Sequence, residues 1–220
     1  MTTATAADRL GVSQRQVERL IASGELPASR TAGDAWVVDA LALNALARAR
    51  PARGRPWSTG TAWAALWHLS GLEADWLDQR SARRLVERLR SLDADGLVHA
   101  CRRRAATRHY RVSDSFIGDL RAAVVRSGTS AMSAVTFGMG ADAARVDGYC
   151  DEGALAELEV RFNMLEDMRG NATLRVAPLR ALPIGNRHEM PVAVVAADLA
   201  ESIEVRERSA GLRVLESLLR

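Results

Sequence analysis

Thr3-Ala-Thr-Ala-Ala-Asp-Arg-Leu-Gly-Val-Ser-Gln-Arg-Gln-Val-Glu-Arg-Leu-Ile-Ala-Ser-Gly-Glu-Leu-Pro-Ala28 is the stretch that decides the fold of the N-terminal part of the chain. Its alanine-rich start predicts a short helix, and Gly11 interrupts that helix with a turn. Ser13 stands three residues before Gln16, the spacing of a capping box that would open a second helix.

The second predicted helix, residues 13–23, has one apolar face and one polar face. Val17, Leu20 and Ile21 share the apolar face at helical spacing. Gly24 and Pro27 end the helix. Two short helices joined by a turn that contains glycine predict a helix-turn-helix.

The next residues predict a two-stranded wing and a third helix. Residues 28–31 and 35–38 flank the turn Ala32-Gly33-Asp34, and Arg30 lies on the first strand, within reach of a phosphate. Asp39 is expected to cap the third helix, whose leucines close a small core: Leu41, Leu43 and Leu46.

The quoted stretch resembles the excisionase/MerR-like helix-turn-helix family in its Ala-Ala-x-x-Leu-Gly-Val-Ser start and its Leu-Ile-x-Ser-Gly-x-Leu-Pro-Ala finish. The resemblance implies DNA binding with the second helix in the major groove, where arginine commonly reads guanine and glutamine adenine. The candidate DNA contacts here are Ser13, Gln14, Arg15, Gln16, Arg19 and Arg30. A helix that binds protein is the alternative.

Residues 50–58 have the composition of a linker, and residues 59–116 predict a second module. A helix with Trp63, Leu66 and Trp67 on its apolar face precedes an amphipathic helix over residues 81–94. Residues 97–101 and 108–112 suggest paired strands around residues 102–107. The pattern is that of a winged helix, for which we expect Arg102, Arg103 and Arg104 at the hairpin tip to contact phosphate. A solvated turn is the alternative, and dimerisation is a further role for the module.

Residues 117–220 alternate helical and extended segments, which predicts an α/β domain with a small mixed sheet. Strands are expected at residues 145–149, 171–177 and 191–195, and Asp151 is expected to cap a helix. Asp198 is interpreted as the cap of a following helix rather than as a metal ligand. No GxSxG, HExxH or P-loop motif occurs.

Three short motifs in this part resemble AbiEi-type antitoxins: Val-Val-x-Ser-Gly-x-Ser-Ala from Val124, Gly-Asn-Ala-Thr-Leu-Arg-Val from Gly170, and Ala-Ala-Asp-Leu from Ala196. The resemblance implies a transcriptional repressor of a toxin–antitoxin operon whose toxin is a nucleotidyltransferase. The N-terminal module departs from the usual start of that family.

Composition narrows the function classes. All 30 basic residues are arginine, so mechanisms that need a lysine are excluded. Residues 1–116 hold 18 arginines against 12 acidic residues, and residues 117–220 hold 12 against 15, which places the basic charge in the half expected to bind DNA. The two cysteines show no CxxC spacing, and neither a secretion signal nor a membrane span is expected, which favours the cytoplasm.

We therefore predict an α+β protein with a helix-turn-helix module at residues 1–49, a linker at 50–58, a winged-helix-like module at 59–116 and a C-terminal α/β domain at 117–220. The predicted function is a DNA-binding regulator, an antitoxin-type repressor of its own operator, with no enzyme activity, cofactor or metal. The expected partners are double-stranded DNA, a nucleotidyltransferase toxin and a second copy of the chain. The alternatives are a DNA-tethered adaptor or ligand-responsive regulator, and a nucleic-acid-processing enzyme.

Overall fold

The computed structural model describes residues 1–10, 12–31, 33, 35–49, 55–131, 134–138, 140, 142–179, 182, 184 and 187–220. The chain divides into two compact units, the N-terminal unit Met1–Gly54 and the C-terminal unit Arg55–Arg220. Helices and strands both occur, so the predicted α+β class is confirmed. No helix in these ranges is long and apolar enough to cross a membrane.

The N-terminal unit consists of three helices and one two-stranded sheet: α1 (Thr3–Leu10), α2 (Gln14–Ala22), β1 (Ala28–Arg30), β2 (Trp36–Val38) and α3 (Ala40–Ala49). Strands β1 and β2 are antiparallel and form the predicted wing, whose turn residues 32 and 34 lie outside the described residues. The core of the unit contains Ala6, Ala7, Val17, Leu20, Leu26, Val38 and Leu43.

Local chemistry sets the ends of these helices. Gly24 has φ +76°, a left-handed conformation that glycine adopts without strain, and it ends α2 as predicted. The Asp39 carboxylate accepts a hydrogen bond from the Ala42 N–H at 2.7 Å, which caps α3. Leu43 is buried and Leu46 packs against the same core, whereas the side chain of Leu41 lies outside the described residues.

The C-terminal unit begins with three helices, α4 (Thr59–Leu69), α5 (Gln79–Leu89) and α6 (Ala94–Cys101). Each has a side-chain cap at its N-terminus, supplied by Ser58, Asp78 and Asp93. Helix α4 is apolar around most of its surface, and its buried residues include Trp63 and Trp67. It therefore lies inside the unit rather than on its surface.

A five-stranded sheet follows, with strand order β4-β5-β7-β3-β6. Its strands are β3 (Ala106–Arg111), β4 (Val125–Arg126), β5 (Val146–Cys150), β6 (Leu165–Glu166) and β7 (Ala172–Val176). Strands β5 and β7 are parallel, and the other neighbours are antiparallel. The prediction of a small mixed sheet is confirmed.

The remaining elements of the unit are mostly helices. They are a 3₁₀ turn (Asp114–Phe116), α7 (Ile117–Ala123), α8 (Gly128–Ala131), α9 (Ala134–Phe137), α10 (Glu152–Arg161), α11 (Val192–Ala200) and α12 (Val205–Leu218). Asp151 caps α10 through the Ala154 N–H, as predicted. Helix α11 is almost entirely buried, in the same core as α4 and α12.

Two predicted strands are helices. Residues 97–101 belong to α6, and residues 192–195 begin α11, so both predictions were wrong. A short apolar run fits a buried helix as well as a buried strand, and surrounding packing decides between them. Without residues 97–101 as a strand, the hairpin of the predicted winged helix does not form; β3 pairs with β7 and β6 instead.

The predicted boundary at residue 116 does not separate two folding units. Strand β3 precedes it, and β6 and β7, which follow it, hold β3 on both sides. The predicted linker also extends too far into the C-terminal unit. Trp57 is buried in the core of that unit, and its backbone N–H donates to the Ala100 carbonyl at 2.9 Å. Residues 50–54 of that linker lie outside the described residues.

The chain between β6 and β7 crosses the end of β3. Because β3 lies between these two strands, residues 167–171 must pass over it, and Gly170 lies directly against the Tyr110–Arg111 peptide. A Cβ at Gly170 would lie 1.9 Å from the Tyr110 carbonyl oxygen. The side-chain amide of Asn171 bonds both backbone polar groups of Val112 at 2.9 Å, which fixes the crossing.

We expect Gly170→Ala to lower the free energy of unfolding by about 3 kcal/mol, since its methyl group would overlap backbone atoms inside a sheet. Gly118→Ala is the matched control, because Gly118 lies in α7 and no atom lies within 4 Å of the place that the new methyl group would occupy. This substitution should raise the free energy of unfolding by about 0.5–1 kcal/mol, since alanine is favoured over glycine in a helix. Urea denaturation followed by circular dichroism measures both. Equal stability of the two variants would contradict the crossing.

Candidate nucleic-acid interface

The exposed face of α2 carries most of the predicted DNA contacts. Ser13, Gln14, Arg15 and Arg19 are exposed, and Gln16 is half-buried. Val17 and Leu20 on the opposite face are buried in the same core as Ala6 and Ala7 of α1 and Leu43 of α3. The helix therefore presents guanidinium and amide groups at its N-terminal half while its apolar face anchors it.

The start of α2 differs from the predicted capping box. Ser13 is the N-cap residue, but its side chain makes no capping hydrogen bond, and the box with Gln16 does not form. Instead, the neighbouring Gln14 amide donates to the Thr3 hydroxyl at 3.0 Å. This bond joins the first residue of α2 to the first residue of α1.

Arg30 lies on the wing, as predicted. Its guanidinium carbon is 4.7 Å from the centre of the Trp36 ring on the facing strand, a cation–π distance. The stacking holds the charged group close to the sheet, and the residue remains exposed. The N-terminal unit thus presents two cationic elements, α2 and the wing.

The predicted run Arg102-Arg103-Arg104 is divided by the fold. Arg102 and Arg103 are exposed, but only 2% of Arg104 is exposed, so its prediction as a phosphate contact was wrong. The three residues do not form a hairpin tip; they lie in the turn between α6 and β3. The Arg104 side chain turns inward and donates to the Cys101 carbonyl at 3.2 Å.

Arg104 belongs to a buried ion-pair cluster. Its guanidinium donates to both carboxylate oxygens of Glu201, at 2.8 and 2.7 Å, to Asp198, and to the Tyr149 hydroxyl at 3.1 Å. Burial alone would lower the pKa of Arg104, but the surrounding charges, first that of Glu201, raise the pKa well above its usual value. Arg104 is therefore a permanently charged residue inside the protein.

A second arginine completes the cluster. Arg175 on β7 pairs with Asp147 on β5, and its Nε is 3.1 Å from an Asp198 oxygen. Asp198 also accepts hydrogen bonds from the hydroxyls of Ser127 and Tyr149. Burial raises the pKa of the Asp147 carboxyl, although the Arg175 charge opposes this.

The predicted role of Asp198 as a helix cap was wrong, because its carboxylate is part of this cluster. Asp198 lies near the end of α11 and is 1% exposed, so it does not cap a following helix. Its charge is balanced by arginines that the sequence places 94 and 23 residues away. No group of three histidine, cysteine, aspartate or glutamate residues in the described ranges could hold a metal ion.

We expect Arg104→Ala to lower the free energy of unfolding by about 3–5 kcal/mol, because it leaves the Asp198 charge buried with one partner fewer. Arg102→Ala is the control, since this exposed neighbour should change stability by no more than about 0.5 kcal/mol. Thermal and urea unfolding measure the difference. If Arg104→Ala is as stable as the control, the cluster does not stabilise the unit.

Comparison with known proteins agrees with the N-terminal unit. Residues 1–51 match a protein family described as a helix-turn-helix domain, which confirms that prediction. No curated protein and no solved structure matches the chain. Since helix-turn-helix domains place a helix in the major groove of duplex DNA, the match at residues 1–51 supports a DNA-binding regulator whose N-terminal unit is a helix-turn-helix domain.

Proposed function

We propose that this protein is an antitoxin-type transcriptional repressor that binds an operator in its own promoter through α2. The observation that carries the proposal is the exposed polar face of α2, with Arg15 and Arg19, inside a domain that matches the helix-turn-helix family. Arg15 lies in the first turn of α2, the part of a recognition helix that contacts base edges. A bidentate arginine contact reads guanine there.

The wing adds a contact to the DNA backbone in this proposal. Arg30 lies on β1, the strand that follows α2 along the chain, and stacks on Trp36, which suits a phosphate contact that fixes register without reading sequence. A single recognition helix reads only a few base pairs. We therefore propose that two copies of the chain bind two half-sites about 34–36 Å apart, one turn of the duplex.

The antitoxin role is supported by where the three AbiEi-like motifs lie. Ser127, Arg175 and Asp198 each come from a different one of these motifs, and all three belong to the buried ion-pair cluster. Short matches scattered by chance along a sequence need not meet in one place. Their convergence supports a core of the antitoxin type, and with it a nucleotidyltransferase toxin as the partner.

The acidic residues favour a regulator rather than an enzyme. Asp147 on β5 and Asp198 on α11, both buried, are engaged by Arg175 and Arg104. Carboxylates held in this way serve the fold and are not presented to a substrate. Incubation of the protein with plasmid DNA and Mg²⁺ tests this, because cleavage would favour a nucleic-acid-processing enzyme.

A ligand-responsive regulator is the second candidate, and one cavity favours it. The cavity has a volume of about 490 Å³ and lies beyond the carboxyl ends of the parallel strands β5 and β7, lined by Asp151, Glu152, Gly153, Val176, Ala177 and Pro178. Small molecules commonly bind at this edge of α/β sheets, in cavities of about 300–1,000 Å³. A metabolite that releases the protein from its operator would favour this candidate over the antitoxin.

We expect Arg15→Ala to weaken binding to the promoter by about 1–3 kcal/mol, or roughly 5- to 150-fold, with little effect on unrelated DNA. The loss arises because a base contact disappears while phosphate contacts remain. Arg206→Ala, which removes an exposed charge from α12, is the control. Gel-shift titration measures the affinities. If Arg15→Ala and Arg19→Ala both bind as tightly as the control, α2 is not the recognition helix.

The antitoxin role predicts a genetic result. A nucleotidyltransferase gene is expected beside this gene, and its expression should arrest growth unless the present chain is co-expressed. The variant Arg15→Ala/Arg19→Ala should still relieve the arrest while losing repression of a reporter promoter, because the toxin-directed and DNA-directed surfaces differ. Repression without any relief of growth arrest would leave a DNA-binding regulator that is not an antitoxin.

A further inference from the structure

The C-terminal unit contains a basic cavity that the helix-turn-helix does not explain. Its volume is about 580 Å³, and three arginines line it: Arg55, Arg88 and Arg103. The other lining residues are Pro56, Trp57, Ser58, Thr59 and Thr61. None of the described residues that line the cavity is acidic. We call this cavity the arginine pocket.

Packing and hydrogen bonds bring the three arginines together from distant parts of the sequence. Trp57 is only 6% exposed, and the Arg88 guanidinium carbon lies 4.8 Å from the centre of its ring. The Thr59 hydroxyl donates to the Arg103 carbonyl at 3.2 Å, which holds the turn after α6 beside the start of α4. The pocket is therefore built on fixed elements.

The charge of the pocket is uncompensated. Within the described ranges, Arg55, Arg88 and Arg103 form no ion pair, whereas other exposed arginines of this unit do, such as Arg108 with Glu166 and Arg111 with Asp167. Helix α5, which supplies Arg88, carries more positive charge. It also exposes Arg80, Arg83 and Arg84, against Glu87 on the helix and Asp78 at its N-cap. Such a concentration of like charge costs free energy unless an anion binds.

The guanidinium groups are the strong donors among the described residues that line the pocket. Ser58 caps α4 through the Thr61 N–H, and its hydroxyl lies 2.9 Å from that of Thr61. These hydroxyls are already engaged with each other. Arginine presents a planar fork of N–H groups that matches phosphate oxygens, so the expected ligand is a phosphate group.

We propose that the arginine pocket binds the phosphodiester backbone of duplex DNA, as a contact separate from the helix-turn-helix and independent of base sequence. The inference rests on the proposed function, since the same chain carries a DNA-binding domain. A second phosphate contact on the same chain acts at high effective concentration once the first module has bound. The pocket thereby adds affinity, while α2 supplies specificity.

The test compares two triple variants of the full chain on a short duplex of scrambled sequence. The pocket variant is Arg55→Gln/Arg88→Gln/Arg103→Gln. The control variant, Arg161→Gln/Arg206→Gln/Arg220→Gln, removes the same charge from exposed arginines elsewhere in the unit. Arg161 is a close match for Arg88, because it also stacks on an aromatic ring, that of Phe162 at 5.0 Å.

Salt dependence is the measured quantity. The logarithm of the DNA association constant falls linearly with the logarithm of salt concentration, and each lost phosphate contact makes this slope shallower by about 0.9. The slope of the pocket variant should therefore be shallower than that of the control variant by up to about 2.7. Equal slopes for the two variants overturn the inference. Thermal unfolding checks that both variants fold, and Arg55→Gln/Arg103→Gln replaces the triple variant if loss of the Arg88–Trp57 contact unfolds it.

Further arms separate the alternatives. If the pocket variant loses affinity for inorganic phosphate but keeps that for DNA, the site binds a free anion and the inference is wrong. The inference is also wrong if the pocket variant loses affinity for duplex RNA but keeps its affinity for duplex DNA. Failure of the proposed function looks different: the unaltered chain would then show no preference for its own promoter over the scrambled duplex, or the Arg15→Ala/Arg19→Ala variant would keep that preference.

Discussion

The ion pair between the Arg104 guanidinium and the Asp198 carboxylate joins the turn after α6 to α11. The hydroxyl of Tyr149, a residue of β5, accepts a hydrogen bond from Arg104 and donates one to Asp198. Both groups are almost fully buried, so neither keeps its hydration and each depends on the other. Arg175 and Asp147 extend the cluster to β7 and β5. Residues from the turn after α6, from β5 and β7, and from α11 thus meet at one set of charges, and this arrangement explains why no boundary at residue 116 exists.

The fold gives the arginines of this lysine-free chain two different environments. Inside the C-terminal unit, Arg104 and Arg175 are matched with carboxylates, because an unpaired charge there would cost several kcal/mol. On α2 and around the arginine pocket, exposed guanidinium groups form no ion pair with another residue that the structure describes. Buried, paired arginines stabilise the fold, whereas exposed, unpaired ones are suited to phosphate. The same residue type therefore has opposite consequences according to its surroundings.

The chain crossing at Gly170 shows the same dependence on tertiary structure at the backbone level. Because β6 and β7 lie on opposite sides of β3, the connection between them must pass over the end of that strand, and only a residue without a side chain fits against the Tyr110 carbonyl. Nothing local to Gly170 indicates this constraint. It arises from a strand order that sequence periodicity does not encode, since strands distant in sequence become neighbours.

The sequence by itself determined the N-terminal unit: two helices with a turn between them, the end of α2 at Gly24, the wing, the Asp39 cap and the exposed face with Arg15 and Arg19. These features depend on neighbours within a few residues, where helical spacing, capping and turn chemistry act directly. Only the tertiary structure decided that residues 192–195 begin a helix, that Trp57 is core, and that Arg104 turns inward while Arg103 stays outside. In a run of three arginines the local pattern is uniform, and the carboxylate that selects Arg104 lies on α11, far along the chain.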